Sequence, residues 1–143
     1  PKGMWPKHHG HDESGVPVIE ALCKRLHVPN EFRQLAVASS RHHLNIHRAF
    51  ELRAKTIVKM LEQMDAFRRP ELFAQLLLVS QADAERNYPQ KVFWEESLRL
   101  CSQVLVKPIL DMGFTGQAIK DKLHQQRVAC IEQFIKNRKM NEK

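Results

Sequence analysis

Proline and glycine cut this chain into short stretches of helical apolar period, and no stretch between the cuts alternates convincingly in the manner of a strand. Proline fixes φ and lacks an N–H, so it sits well only in the first turn of a helix or outside one. Pro17, Pro29, Pro70, Pro89 and Pro108 all read that way. A first helix is expected with Ser14 or Gly15 as its cap, Pro17 in its opening turn, and Val16, Ile19, Leu22, Cys23 and Leu26 on its apolar stripe. His27-Val28-Pro29 ends it, and Asn30 is expected to cap a second helix. The buried face of that helix reads as Phe32, Leu35 or Ala36, Ser39, His43 and Ile46.

After a turn over residues 48–52, a third helix carries Ile57, Leu61 and Met64 inward and Lys55, Lys59, Glu62 and Gln63 outward. Pro70 opens a fourth helix, the most apolar, running from Leu72 and Phe73 through Leu76 and Val79 to Ser80 and Asp83. Asn87-Tyr88-Pro89 closes that block. A fifth helix over about 91–107 bears Phe93, Trp94, Leu98, Cys101 and Leu105, and a short piece follows Pro108. Gly113-Phe114-Thr115-Gly116 turns the chain into a last helix with Ile119, Leu123, Ile131, Phe134 and Ile135 as apolar positions. The fold class is all-α.

The densest chemistry precedes the first helix. Trp5-Pro6-Lys7-His8-His9-Gly10-His11-Asp12-Glu13 holds three imidazoles and two carboxylates, the ligand types that borderline transition metals favour. The same tract also reads as a solvated, His-rich lead-in. His43 and His47 are four residues apart and share a helical face, as paired core histidines or as ligands. Asp83 falls on or beside the buried face of the fourth helix, where a carboxylate needs a partner: a metal, or an arginine such as Arg86 or Arg41.

A formal charge of +7 favours an anionic partner, nucleic acid first. The last helix carries Lys120, Lys122, Arg127, Lys136, Arg138 and Lys139 behind a glycine turn, either as a solvated face or as a grip on phosphates. Hydrophobic residues make up 43% of the chain, enough for a core, yet no apolar run approaches membrane-spanning length, so no membrane partner is expected. Cys23, Cys101 and Cys130 are odd in number, far apart and near apolar positions, which points to buried reduced thiols and a cytoplasmic protein. There is no Gly-rich phosphate loop and no nucleophile arrangement that spacing supports.

Taken as a set, these residues resemble a known family. The run from Trp5 to His11 with Gly15, then His43 and His47, then Asp65-Ala66-Phe67-Arg68-Arg69-Pro70, then Ser80-Gln81-Ala82-Asp83, then Gly113-Phe114-Thr115-Gly116 with Ile119, Leu123 and Arg127, is similar to the C-terminal half of bacterial CCA-adding tRNA nucleotidyltransferases. The likeness is to the multifunctional type that carries an HD phosphohydrolase domain, and runs from about Trp5 to about Phe134. It implies that residues 1–88 are the C-terminal part of an HD-type helical domain and that 89–143 form a helical tail for tRNA binding or dimerisation.

The resemblance further implies a divalent-metal site in which His11, His43 and Asp83 are ligands and catalytic groups. His8, His9 and His47 would be outer groups or phosphate contacts, and Arg68, Arg69, Lys120 and Arg127 would meet RNA. The early His and the His-Asp pair that name the HD family do not occur at their places in this chain, and the nucleotidyltransferase head is also missing. These would precede Pro1, so the chain reads as a piece of a longer protein. The whole enzyme would use CTP, ATP and Mg²⁺ to add CCA to tRNA 3′ ends. Its HD site would hydrolyse phosphate esters, 2′,3′-cyclic phosphates included, with Ni²⁺, Mn²⁺ or Mg²⁺. With about half the ligands gone, this chain alone is expected to be inactive; the competing expectation is a non-catalytic helical module that docks tRNA or forms a homodimer.

Overall fold

The computed structural model describes residues 11–84 and 87–142, the side chains of 11–13 excepted. Within these residues the chain is helical with no strand: α1 His11–Arg25, α2 Asn30–His47, a 3₁₀ turn Ala49–Glu51, α3 Ala54–Gln63, α4 Pro70–Ala84, α5 Pro89–Ser102, the short α6 Lys107–Asp111, and α7 Gln117–Asn141.

Helix α1 begins earlier than Ser14, so Pro17 lies inside it rather than in its opening turn. Gly15 is likewise helical and not a cap. Its role is close approach: a Cβ there would stand 2.7 Å from the Ser40 hydroxyl oxygen, so the missing side chain lets α1 lie against α2. The helix closes with His27 in the left-handed region at φ 53° and the Val28 N–H donating to the Cys23 carbonyl at 3.0 Å. The apolar face of α1 is only partly covered: Val16 and Cys23 are buried, whereas Leu22 and Leu26 are exposed.

Asn30 does not cap α2. Pro29 holds the cap position, and the Asn30 side chain accepts from the Arg33 guanidinium at 2.6 and 3.2 Å instead. The stripe of α2 that turns inward is Leu35, Ala38, His42 and Ile46: Leu35 and Ile46 as expected, with Ala38 and His42 in place of Ser39 and His43. Phe32 is 63% exposed, and His42, not His43, continues the apolar row.

A continuous core joins this helix to the others. Ile57, Val58, Met60 and Leu61 from α3, Met64 just after it, Phe73, Leu76 and Leu77 from α4, Phe93, Trp94 and Cys101 from α5, and Ile131 from α7 are all buried in it. The Trp94 ring is its centre, edge-on to Phe73 and Phe93 at 6.2 Å each, and Phe93 stacks on Phe134 at 5.4 Å. The core runs without a break across residues 88 and 89.

Glu62, expected outward, is half-buried and ties α3 to α7. Its carboxylate accepts from His124 Nδ1 at 3.0 Å and from Arg127 Nη1 at 3.3 Å, and the Arg127 guanidinium lies 3.8 Å over the Phe67 ring. Helix α5 stops at Ser102, short of the expected 107, which leaves Leu105 63% exposed. Gly116, at φ 58° and ψ −132°, opens α7, a conformation that a Cβ would strain. Cys23 and Cys101 are buried and Cys130 half-buried, all three as free thiols. Among the described residues no helix is long and apolar enough to cross a membrane.

Candidate functional site

Two helices bring the sequence-selected groups together. His43 and His47 stand one turn apart on α2, and Asp83 stands near the end of α4. All three line one cleft of about 390 Å³, with Ile19 of α1, Ala36, Ser39 and Ser40 of α2, and Val79 and Ser80 of α4 as the rest of its wall. The close contact at Gly15 sets the α1 side of that wall, because Ser40 belongs to both. His42 lies elsewhere, in a separate polar cleft with Arg41, Asn45 and Gln63.

Ser80 is buried, its hydroxyl donating to the Leu76 carbonyl at 3.0 Å, but Asp83 one turn later emerges with its side chain 71% exposed. Its partner among the described residues is an imidazole. His47 Nε2 lies 3.1 Å from Asp83 Oδ2, while Arg86 is outside the described residues. A carboxylate can only accept, so Nε2 of His47 carries the proton. In the neutral ring Nδ1 then holds the lone pair, and the Tyr88 hydroxyl, 2.7 Å away, donates to it. Tyr88 is buried, and burial first, then the Asp83 charge, pushes its hydroxyl up to about 12. It remains a donor throughout the neutral range.

His43 Nδ1 lies 2.8 Å from the Ser39 carbonyl and 3.3 Å from that of Ser40. A carbonyl only accepts, so Nδ1 bears hydrogen and the neutral ring keeps its lone pair on Nε2. The two histidine rings stand 6.4 Å apart, edge to face. His43 and Asp83 line the same cleft. That pair is a partial donor set for a hard or borderline cation. It is not a complete one: among the described residues no group of three or more metal-binding side chains converges. His11 is the first residue of α1, one turn before Gly15, and its side chain lies outside the described residues, as do His8 and His9 altogether.

The cations selected as RNA contacts fall into two kinds. Arg68, 80% exposed, pairs with Asp65 at 2.6 Å, and Lys120 is exposed on α7. Arg69 is half-buried and donates to Gln34 at 2.7 Å, and Arg127 is turned inward onto Glu62 and Phe67. Three residues at the start of α5 and just before it also hold the end of α2. Tyr88 meets the imidazole of His47, Gln90 donates to the His47 carbonyl at 3.1 Å, and Trp94 donates to the Ile46 carbonyl at 3.1 Å. The available signal was the Tyr-Pro step, since a residue before proline is held extended and can aim a ring backwards.

No family model matches the chain, and no solved structure matches it. Curated relatives do. The multifunctional CCA protein of Legionella pneumophila strain Lens is 51% identical across 100% of this chain and 36% of its own length. That of strain Paris is 52% identical across 97% of this chain and 35% of its own. That of Tolumonas auensis is 42% identical across 92% of this chain and 34% of its own. The chain spans about a third of the length of these relatives. It belongs to the multifunctional CCA protein family and corresponds to the C-terminal part of its members.

Proposed function

We propose that this chain supplies one wall of an HD-type phosphohydrolase cleft within a CCA-adding tRNA nucleotidyltransferase. The observation that supports this best is the meeting of His43, His47 and Asp83, from two helices, in a single cleft. Asp83 and His43, with His11 as a further candidate, would hold a divalent cation, Ni²⁺, Mn²⁺ or Mg²⁺, together with ligands from outside the described residues. Such a cation acidifies bound water and neutralises charge on phosphoryl oxygens. His47 does different work. Both its ring nitrogens are engaged within the protein, so it orients Asp83 instead of ligating. His8 and His9 remain candidates for phosphate contact. CTP, ATP and their Mg²⁺ are assigned to the upstream portion that the relatives possess.

The test has two arms. The 143-residue chain, incubated with 2′,3′-cyclic AMP and Ni²⁺, should show no turnover above the protein-free rate, because its donor set is incomplete. Chelator-sensitive turnover by this chain alone would sink that part of the reading. In the protein carrying the upstream portion, His47→Gln should lower cyclic-phosphate hydrolysis by about 10–100-fold, the usual effect of losing a group that orients a metal ligand, and leave CCA addition unchanged. Equal loss of both activities would count against a separate phosphohydrolase site.

A second reading concerns tRNA. Lys120, Lys136 and Lys139 are exposed along α7, a helix of 25 residues, and Arg68 is exposed nearby in sequence to α4. This surface would meet backbone phosphates, with Lys120 and Arg68 as the clearest contacts and the inward Arg127 holding the helix in place. A homodimer is the remaining proposal for the same tail, and sedimentation at several protein concentrations reads it directly.

A further inference from the structure

The start of α5 grips the end of α2 by side chains alone. A helix C-terminus leaves its last carbonyls without intrahelical partners. In α2 two of these, of Ile46 and His47, are met by Trp94 and Gln90. The third contact is made to a side chain. Tyr88 has φ −128° and ψ 79°, outside the helical region that the following Pro89 disfavours, and Pro89 in turn starts α5. The phenol is thereby carried back to His47, its ring 5.5 Å away at 84° and its hydroxyl on Nδ1.

We infer that Tyr88 is a positioning residue for the cleft: by donating to Nδ1 its hydroxyl reinforces the Nε2–H tautomer of His47 that the Asp83 carboxylate requires, and so holds the ring that holds Asp83. The argument is one of hydrogen-bond direction. With Nδ1 accepting from Tyr88, the neutral imidazole has one place for its proton, and that place faces the carboxylate. Asp83 is largely exposed and on a different helix, so without this bond its side chain would sample several rotamers. With it, Oδ2 is engaged and the carboxylate is held in one orientation at the cleft. The chain Tyr88 to His47 to Asp83 thus carries the geometry of α5 into the wall of the cleft. Its consequence for phosphate-ester hydrolysis rests on the function proposed above; the tautomer itself does not.

The experiment uses the 143-residue chain with ¹⁵N-labelled histidine. Long-range ¹H–¹⁵N correlation distinguishes a protonated from a bare ring nitrogen. In the unaltered protein His47 should be the Nε2–H tautomer. Tyr88→Phe removes only the hydroxyl and should lower the ratio of Nε2–H to Nδ1–H forms by roughly fivefold, the worth of one neutral hydrogen bond. An Nδ1–H ring in the unaltered protein overturns the inference without any variant being made. A His47 spectrum unmoved by Tyr88→Phe in a folded protein overturns it as well. Failure of the metal reading is seen separately, as absence of any Mn²⁺ effect at Asp83 while His47 keeps the expected tautomer.

Discussion

Trp94 and Ile46 are 48 residues apart, and the indole N–H of the first donates to the main-chain carbonyl of the second at 3.1 Å. This one bond joins the largest fully buried side chain to the end of the helix that bears both site histidines. Trp94→Phe keeps an aromatic ring but removes the donor and some volume. The buried carbonyl then lacks its partner, at about 1–3 kcal/mol, and the lost volume adds about 1 kcal/mol more. Denaturant unfolding should therefore show a loss of about 2–4 kcal/mol, with the histidine signals of the cleft shifted in the folded protein.

Gly15 and Ser40 form a second joint, on the other side of α2. Alanine at Gly15 gains about 1 kcal/mol of helix propensity but overpacks against the Ser40 hydroxyl, at about 1–3 kcal/mol. The contact at 2.7 Å is too short to be absorbed without movement, so the single variant should be destabilised. Ser40→Ala removes the offending oxygen and leaves Cβ at 3.9 Å, an ordinary contact. The double variant should recover stability, and a double-mutant cycle should show a coupling of about 1 kcal/mol or more. Additive effects would mean that the helices are not in contact there.

Alkali should weaken the fold in a defined window. Burial pushes the Cys101 thiol up to about 12, against a smaller opposing effect of Arg127. Tyr88 is raised to about 12 by burial first. Groups raised in the folded state contribute stability that is whole below their unfolded pKa and is lost as pH rises towards the folded value. Denaturant midpoints should hold up to about pH 9 and fall between about pH 9 and 12. Cys101→Ala should flatten part of that fall. In thiol labelling at pH 8, the half-buried Cys130 should react in the folded state, and Cys101 only on unfolding.

RNA binding, if carried by α7, obeys counterion release. Affinity for tRNA should fall linearly in log–log form with salt, and Lys120→Glu should weaken binding to any sequence and reduce the slope by about one. Arg127→Lys should act instead through stability, because its guanidinium faces Glu62 and Phe67. A salt-independent affinity would remove the electrostatic account of the tail.

Much of the fold is legible in the residues because its elements are punctuated. Pro70 opens a helix as expected, Pro89 opens α5 two residues before its expected start, and Ile57, Leu61 and Met64 face inward as their spacing requires. The period alone does not decide which of two neighbours faces in. His42 and His43 differ by about 100° around α2; Leu35 and Ile46 face in as expected, yet His42 is buried and Phe32 exposed. Asn30 has the chemistry of a cap, yet Arg33 one turn later takes its oxygen. The cleft follows the same division. His43 and Asp83 are brought to one site by the family resemblance, whereas Tyr88, Gln90 and Trp94 reach α2 only through the packing of α5, which no local pattern encodes.

The measurement that bears most directly on the proposed site is a Mn²⁺ titration of the isotope-labelled chain, followed by paramagnetic broadening. Signals of His43, Ser80 and Asp83 should broaden first, at a weak affinity set by the incomplete donor set, and Asp83→Asn should abolish that broadening. Broadening confined to the His-rich stretch before α1, with the cleft unchanged, would contradict the account.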